Sequence, residues 1–301
     1  MSMIPILSIE QFEKEESLID FYSNDLAAHL WKNKESVFIP HRHDFFLCVL
    51  FSKGTGSHEI DFTNYPVEPG SVFFLKPGQT HFWKFNSEPE GYIFFHTQDF
   101  FEFGFLNAKL TQFPFYFSYE NPPNLRLKID DLESVISRFK EINNEYYNGA
   151  TFKKQKLLSL INLVYIDLTR LYSAFEFHII VKSTTYLSTL KNLEVLIQQF
   201  YRTQKSSIFY AEKLNITTKH LNRITKNTIN KKSSELISER IILEAKRLLV
   251  HSEDSLADIA EFLGYEDYAY FSRVFKLKTK SSPSDFRNHY KTKTPFEIKN
   301  S

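Results

Sequence analysis

Two stretches near the C-terminal end hold side chains suited to reading a polyanion: YAEKLNITTKHLNRITK at 210–226 and IAEFLGYEDYAYFSRVFK at 259–276. They are copies of one pattern. Ala211–Glu212 matches Ala260–Glu261 and Leu214 matches Leu263 at an offset of 49, and Arg223 matches Arg273 and Lys226 matches Lys276 at an offset of 50. Each copy reads as a short helix with a small residue, Ala211 or Ala260, where two helices approach closely. A tight turn follows, with Asn215 or Gly264 at the position needing the left-handed conformation. Thr217 or Asp267 then caps the next helix. In that helix Leu221 and Ile224, or Phe271 with Val274 and Phe275, face inward. The opposite face presents Lys219, Asn222, Arg223 and Lys226 in the first copy and Tyr268, Ala269, Tyr270, Arg273 and Lys276 in the second. Arg can bond guanine O6 and N7 together, Asn can bond adenine, and Ala or Tyr can touch a thymine methyl. Lys226 and Lys276 sit a turn further along, at phosphate distance.

The charge distribution agrees. Net charge is only +1, but residues from 188 onward carry 20 Lys+Arg against 13 Asp+Glu, so a basic back half follows an acidic front. A basic half points to a polyanion partner, double-stranded DNA. The segment SSELISERIILEAKRLLV, 233–250, reads as one amphipathic helix that joins the copies and fixes their separation. Two such helices about one DNA turn apart, roughly 34 Å, enter successive major grooves.

The run ISERIILEAKRLLVHSEDSLADIAEFLGYEDYAYFSRVFKLKTKSSPSDFR, 237–287, resembles the C-terminal domain of AraC/XylS-type transcription regulators. The resemblance implies a seven-helix fold with the 234–250 helix as its spine. It implies base-edge contacts from Lys219, Asn222, Arg223, Ala269, Tyr270 and Arg273. One departure stands out. The family has Gly after each recognition helix, where this chain has Asn230 and Lys280. Asn tolerates the left-handed region better than Lys.

The front half is a different kind of chain. Runs FLCVLF (46–51), HEIDF (58–62), SVFFL (71–75) and GYIFFH (91–96) read as strands, separated by turn signals KGTG, EPG and KPGQ. Strands at this spacing, without helices between them, predict a sandwich or barrel. PHRHDFFLCVLFSKGTGSHEIDF and PGSVFFLKPGQTHFWKF resemble the cupin-type domain that AraC-type regulators carry in front. His41, His43 and His81 resemble the cupin histidines, but Leu47 stands where a metal-binding cupin has a carboxylate. Three readings stay open for them: ligands of a divalent metal, hydrogen-bonding groups at a ligand site, with Phe46 and Trp83 among its walls, or structural histidines. Phe46, Val49, Phe51, Phe74, His81, Trp83 and Phe94 are candidates for lining a pocket, the alternative being a filled interior.

From about Asp130 the period turns helical. Leu132, Val135, Ile136, Phe139, Ile142 and Tyr146 share a stripe, and a second helix at 152–173 is apolar over much of its circumference. This pair resembles the helices that dimerise such regulators, and the stripe fits a two-fold contact, the alternative being that both helices only cover the barrel.

The expectation is an α+β protein of about two domains. Residues 1–175 form a cupin-like β-barrel with a helical pair at 130–147 and 152–173. Residues 176–188 link it to an all-α double helix-turn-helix domain at 189–292, and 293–301 are a tail. Its partners would be DNA, a small-molecule effector, a second copy of the chain and RNA polymerase. No cofactor, metal or catalytic residue is implied. A cupin metalloenzyme and a constitutive DNA-binding protein remain the alternatives. The lone Cys48, the lack of a signal-like N-terminus and the absence of any roughly 18-residue apolar window point to a cytoplasmic, non-membrane location.

Overall fold

The computed structural model describes residues 4–12, 18–104, 109–117, 121–148, 151–175 and 184–293. The described residues divide into two units, an N-terminal one from Pro5 through the helix that ends at Phe175 and a C-terminal one from Thr184 on, to which Ile4 is also assigned. Most of the linker expected at 176–188 lies outside the described residues, and its last five positions open the helix Thr184–Phe200. The expected tail is likewise outside them beyond residue 293.

In the N-terminal unit the strand Phe46–Lys53 organises the fold. It lies third in a five-stranded antiparallel sheet ordered Asn124–Arg126, Ser71–Leu75, Phe46–Lys53, Glu90–His96, Phe21–Asp25. A three-stranded sheet ordered Thr63–Val67, Gly56–Ile60, His81–Phe85 makes the other wall. Successive side chains of a strand point to opposite faces. Leu47, Val49 and Phe51 therefore enter the layer between the sheets with Phe73, Trp83 and Phe95. Phe46, Cys48 and Leu50 enter a second core under the helices Ile129–Asn148 and Lys153–Phe175. Both faces are buried, so the strand reads as a continuous apolar run.

The run HEIDF is a strand only to Ile60. Asp61 and Phe62 have φ of 47° and 70° and form the two-residue turn into Thr63–Val67. Positive φ at both central residues matches the right-handed twist of a tight hairpin. The stripe expected to make a two-fold contact is otherwise engaged. Val135, Phe139, Ile142 and Tyr146 are buried on the unit's own sheet, with Leu132 and Ile136 packed against the same core.

The C-terminal unit has seven helices among the described residues: Thr184–Phe200, Ser207–Lys213, Thr218–Ile229, Ser233–His251, Leu256–Phe262, Tyr268–Thr279 and Pro283–Lys293. The long helix Ser233–His251 buries Ile237, Ile241, Ala245 and Leu249. Its buried Glu244 carboxylate accepts from Arg240 at 3.0 Å and Arg247 at 3.2 Å. Arg240 also donates to Gln198 at 2.7 Å, which fastens this helix to Thr184–Phe200. At its far end Arg287 donates to Leu249 O at 3.0 Å and Asp254 O at 2.8 Å.

Candidate nucleic-acid interface and barrel histidine cluster

The two repeat copies fold alike because their local chemistry is alike. Ala211 and Ala260 are each 1% exposed, which lets the paired helices close on each other. Asn215 (φ 54°) and Gly264 (φ 74°) are left-handed, and the following amides, Ile216 and Tyr265, donate back to Ala211 O and Ala260 O at 3.0 and 2.9 Å. This closes the first helix of each copy with a Schellman-type turn. Thr217 then accepts from His220 N at 3.2 Å, while Asp267 accepts from Ala269 N at 2.8 Å and Tyr270 N at 3.1 Å. Buried Leu221 and Ile224, and buried Phe271 and Phe275, fix which way each second helix faces.

The outward faces carry the cations. Lys219, Arg223, Lys226, Arg273 and Lys276 are exposed, and none forms an ion pair among the described residues. Around the first helix, Lys219, Arg223 and Lys226 line a concavity of about 750 Å³ together with His220, Asn227 and Lys232. Those last three were not singled out from the sequence. Asn227 lies one turn beyond Arg223 on the same face, so helical spacing alone reaches it. Lys232 arrives only through the turn at Asn230. On the second helix Tyr268, Ala269 and Tyr270 stand exposed in the first turn, ahead of Arg273.

Asn222 behaves differently from its neighbours. It is half-buried, and its Oδ1 accepts from Ser233 N at 3.0 Å, with Ser233 Oγ at 3.0 Å from the same oxygen. A backbone N–H can only donate, so the atom facing it is the carbonyl oxygen. That oxygen pins the first turn of the long helix. A bidentate adenine contact needs both amide atoms, and only Nδ2 remains for it.

Both second helices end left-handed, Asn230 at φ 55° and Lys280 at φ 66°. A side chain in this region costs about 1–2 kcal/mol at a non-glycine position. Lys280→Gly is therefore expected to raise the melting temperature of the C-terminal unit by about 4–8 °C, and Asn230→Gly by less. Calorimetry of both variants checks the order. No gain for Lys280→Gly would mean that the strain is absent.

In the N-terminal unit, His41, His43 and His81 come together and a fourth histidine joins them. Ring centroids lie 4.2 Å apart for His41–His81, 5.0 Å for His43–His81 and 5.1 Å for His58–His81. His58 was not singled out from the sequence; the strand alternation that puts it on the same inward face as Ile60 was the available signal. Nδ1 of His41 donates to Ile39 O and Nδ1 of His43 to Phe45 O, both at 2.8 Å, since a carbonyl only accepts. His58 Nε2 and His81 Nδ1 lie 2.9 Å apart. Four buried polar atoms here have no hydrogen-bond partner among the described residues: His43 Nε2, His58 Nδ1, His81 Nε2 and Trp83 Nε1. Burial holds the rings neutral, taking His41 down to about 4 and His43 to about 3, with His58 and His81 well below the ordinary value.

Phe46 does not belong to this cluster. It stands on the helical face of its strand, 5.0 Å from the Tyr116 ring, and Phe74 and Phe94 share that face. The two-residue strand period places them opposite Val49 and Phe51. Among the described residues no three His, Cys, Asp or Glu side chains are arranged to hold a metal ion. Among the described residues no helix is long and apolar enough to cross a membrane.

A unit built on a five-stranded and a three-stranded sheet around an inward histidine cluster, and a helical unit with two cation-faced helix-turn-helix copies, together define a DNA-binding regulator. Two family models match the chain: an AraC-like ligand binding domain over residues 23–105 and a helix-turn-helix domain over residues 210–289. The chain thus carries an AraC-like ligand-binding domain ahead of a helix-turn-helix domain, the two-part make-up of AraC-type transcription regulators. Among its relatives is the HTH-type transcriptional activator RhaR of Mannheimia succiniciproducens, 24% identical over 83% of this chain and 87% of that protein. RhaS of Citrobacter koseri is 22% identical over 89% of this chain and 95% of that protein. The raffinose operon regulatory protein RafR of Pediococcus pentosaceus is 33% identical over 43% of this chain and 46% of its own length. Among solved structures, ToxT of Vibrio cholerae aligns over 89% of this chain and 97% of its own, with a TM-score of 0.42 and 14% identity.

Proposed function

We propose that the exposed faces of Thr218–Ile229 and Tyr268–Thr279 are the surfaces with which this regulator reads its operator. Arg223 and Arg273 contact base edges and Lys219 assists. Lys226 and Lys276 hold phosphates. Tyr268, Ala269 and Tyr270 supply methyl and ring contacts, and Asn222 adds one amide donor. The observation that carries the reading is the pairing of two capped helices whose outward cations have no ion-pair partner among the described residues. Cations left unpaired on a groove-sized helix are available to phosphates and guanine edges. Selection of the full chain on a randomised duplex pool is the test. A bipartite motif with boxes about 10 bp apart is expected, and failure to enrich any motif would overturn the reading.

The N-terminal unit is read as the effector-sensing part. Its support is the set of four polar atoms of His43, His58, His81 and Trp83 without a hydrogen-bond partner among the described residues, which a hydroxyl-bearing ligand would satisfy. Raffinose and a panel of simpler sugars, assayed by thermal shift with and without His43→Ala, test this. The dense aromatic packing of Phe45, Phe51, Phe73 and Phe95 beside the cluster favours a second reading, constitutive DNA binding without effector. A panel that shifts nothing would support that one.

The proposal extends to a non-enzymatic, cytoplasmic homodimer that contacts RNA polymerase. A two-fold contact would use the outer residues of the helix pair, such as Ile129 and Leu163, because the inner stripe packs on the sheet.

A further inference from the structure

The loop Tyr201–Ser206 belongs to the first helix-turn-helix copy by position. Tyr210 Oη donates to Gln204 O at 2.8 Å, and Ser206 Oγ accepts from Ile208 N at 3.2 Å to cap the helix Ser207–Lys213. The long helix also grips it, with the Arg240 guanidinium 4.0 Å over the Tyr201 ring. Yet two side chains of this loop bind the turn of the other copy. Arg202 Nε donates to Phe262 O at 3.0 Å, and its guanidinium lies 3.7 Å over the Phe262 ring. Lys205 Nζ donates to Gly264 O at 2.6 Å and to Arg202 O at 3.2 Å, and stands 4.7 Å over the Tyr265 ring. Backbone meets backbone here as well: a Cβ on Gly264 would lie 2.0 Å from Arg202 O. Gly264 thus serves the close approach of the two copies as well as its own left-handed turn.

The chain of contacts continues into the second recognition helix. The Tyr265 ring lies 5.9 Å from Tyr270 and 5.3 Å from Phe271. A shift of the clamped turn is therefore transmitted to the first turn of that helix. The long helix joins the copies as one rod ending at His251, where Arg287 holds its far end. Arg202 and Lys205 supply a second tether on a different line.

We infer that Arg202 and Lys205 are positioning residues that lock the angle and separation of the two recognition helices, and so set the spacing of the two DNA boxes this regulator accepts. The inference rests on the reading that both helices engage DNA. Charge-assisted hydrogen bonds to backbone carbonyls are strong enough to hold such an arrangement, and preorganisation of both helices raises affinity by the fraction of molecules already in the competent geometry.

The test uses the full chain with spin labels at Glu212→Cys and Leu277→Cys, both exposed and outside the residues assigned to DNA. Cys48 is the only cysteine and is buried. The parental protein is expected to give one narrow inter-label distance, and Arg202→Ala/Lys205→Ala a broadened one. On duplexes carrying the selected boxes with zero to three base pairs inserted, the double variant should bind the native spacing about tenfold more weakly. It should also discriminate less between spacings, and Arg202→Lys/Lys205→Arg should restore both properties. An unchanged distance distribution would overturn the inference. So would a broadened distribution with an unchanged spacing profile, or a uniform loss at every spacing. If the parental chain bound no duplex at all, the DNA reading would fail while the label distances still decided the tether.

Discussion

Acidification to about pH 5 is expected to unfold the N-terminal unit while the C-terminal unit keeps its structure. Six imidazoles are buried among the described residues of the N-terminal unit: His29, His41, His43, His58, His81 and His96. Burial holds His29 and His43 at about 3 and His41 and His96 at about 4, with His58 and His81 well below 6.5. Repulsion from neighbouring rings adds to burial for His29, His43, His58 and His81. In the unfolded chain the same rings titrate near 6.5. Each depressed ring contributes its full stability above that value. The contribution falls as the pH drops from 6.5 toward the folded-state value, because the unfolded chain takes up protons first. The slope is about 1.4 kcal/mol per pH unit for each ring, or about 2 kcal/mol at pH 5. Against an ordinary domain stability of about 5–15 kcal/mol, several rings acting together are decisive. None of the histidines described in the C-terminal unit is buried. Near-UV circular dichroism and the emission of Trp83, which touches His58 and His81, report the transition. A cooperative melt of the N-terminal unit persisting at pH 5 would show that the rings are accessible to protons in the native state.

Replacing Arg223 and Arg273 by Ala should nearly abolish specific DNA binding without touching stability. A bidentate Arg–guanine contact discriminates by about 1–3 kcal/mol, so each single variant loses about 10- to 100-fold on the selected site. The two side chains sit on different helices and share no partner, so their losses should add to about a thousandfold. Thermal stability is expected to stay within about 0.5 kcal/mol, since both residues are exposed and outside any ion pair among the described residues. Lys226→Ala and Lys276→Ala give the contrast. They should weaken binding evenly across sequences and lower the salt slope by about one each. If the double Arg variant kept both affinity and sequence preference, the base-reading role would pass to other residues of the two faces.

The helix-turn-helix copies were legible because their signals are local. Asn215 and Gly264 take the left-handed turn, and Thr217 and Asp267 cap, through atoms within a few residues of each other. Short-range geometry leaves few alternatives at such positions, so residue type alone is informative. The strands at 46–53, 71–75 and 90–96 were legible from their β-branched and aromatic runs. The strand His81–Phe85 was not read as one, although its histidine was chosen as a site residue.

What lay beyond the sequence is what distant segments decide. FLCVLF is apolar on both faces, so nothing in its pattern says that Phe46 faces the helices while Val49 and Phe51 face Trp83. Asn222 looks like a free reader until Ser233, from the next helix, takes its carbonyl oxygen. Lys205 and Arg202 look like two more surface cations until Gly264 and Phe262, about 60 positions away, come within hydrogen-bond reach. The sequence by itself determined the family, the two-part architecture and the repeat with its cation-bearing faces, because periodicity, caps and turn residues act over one or two turns of chain. Only the tertiary structure decided which of those polar groups stay available to a partner and which tie the protein to itself, because a hydrogen bond is a matter of atomic distance and the chain brings its partners from anywhere along its length.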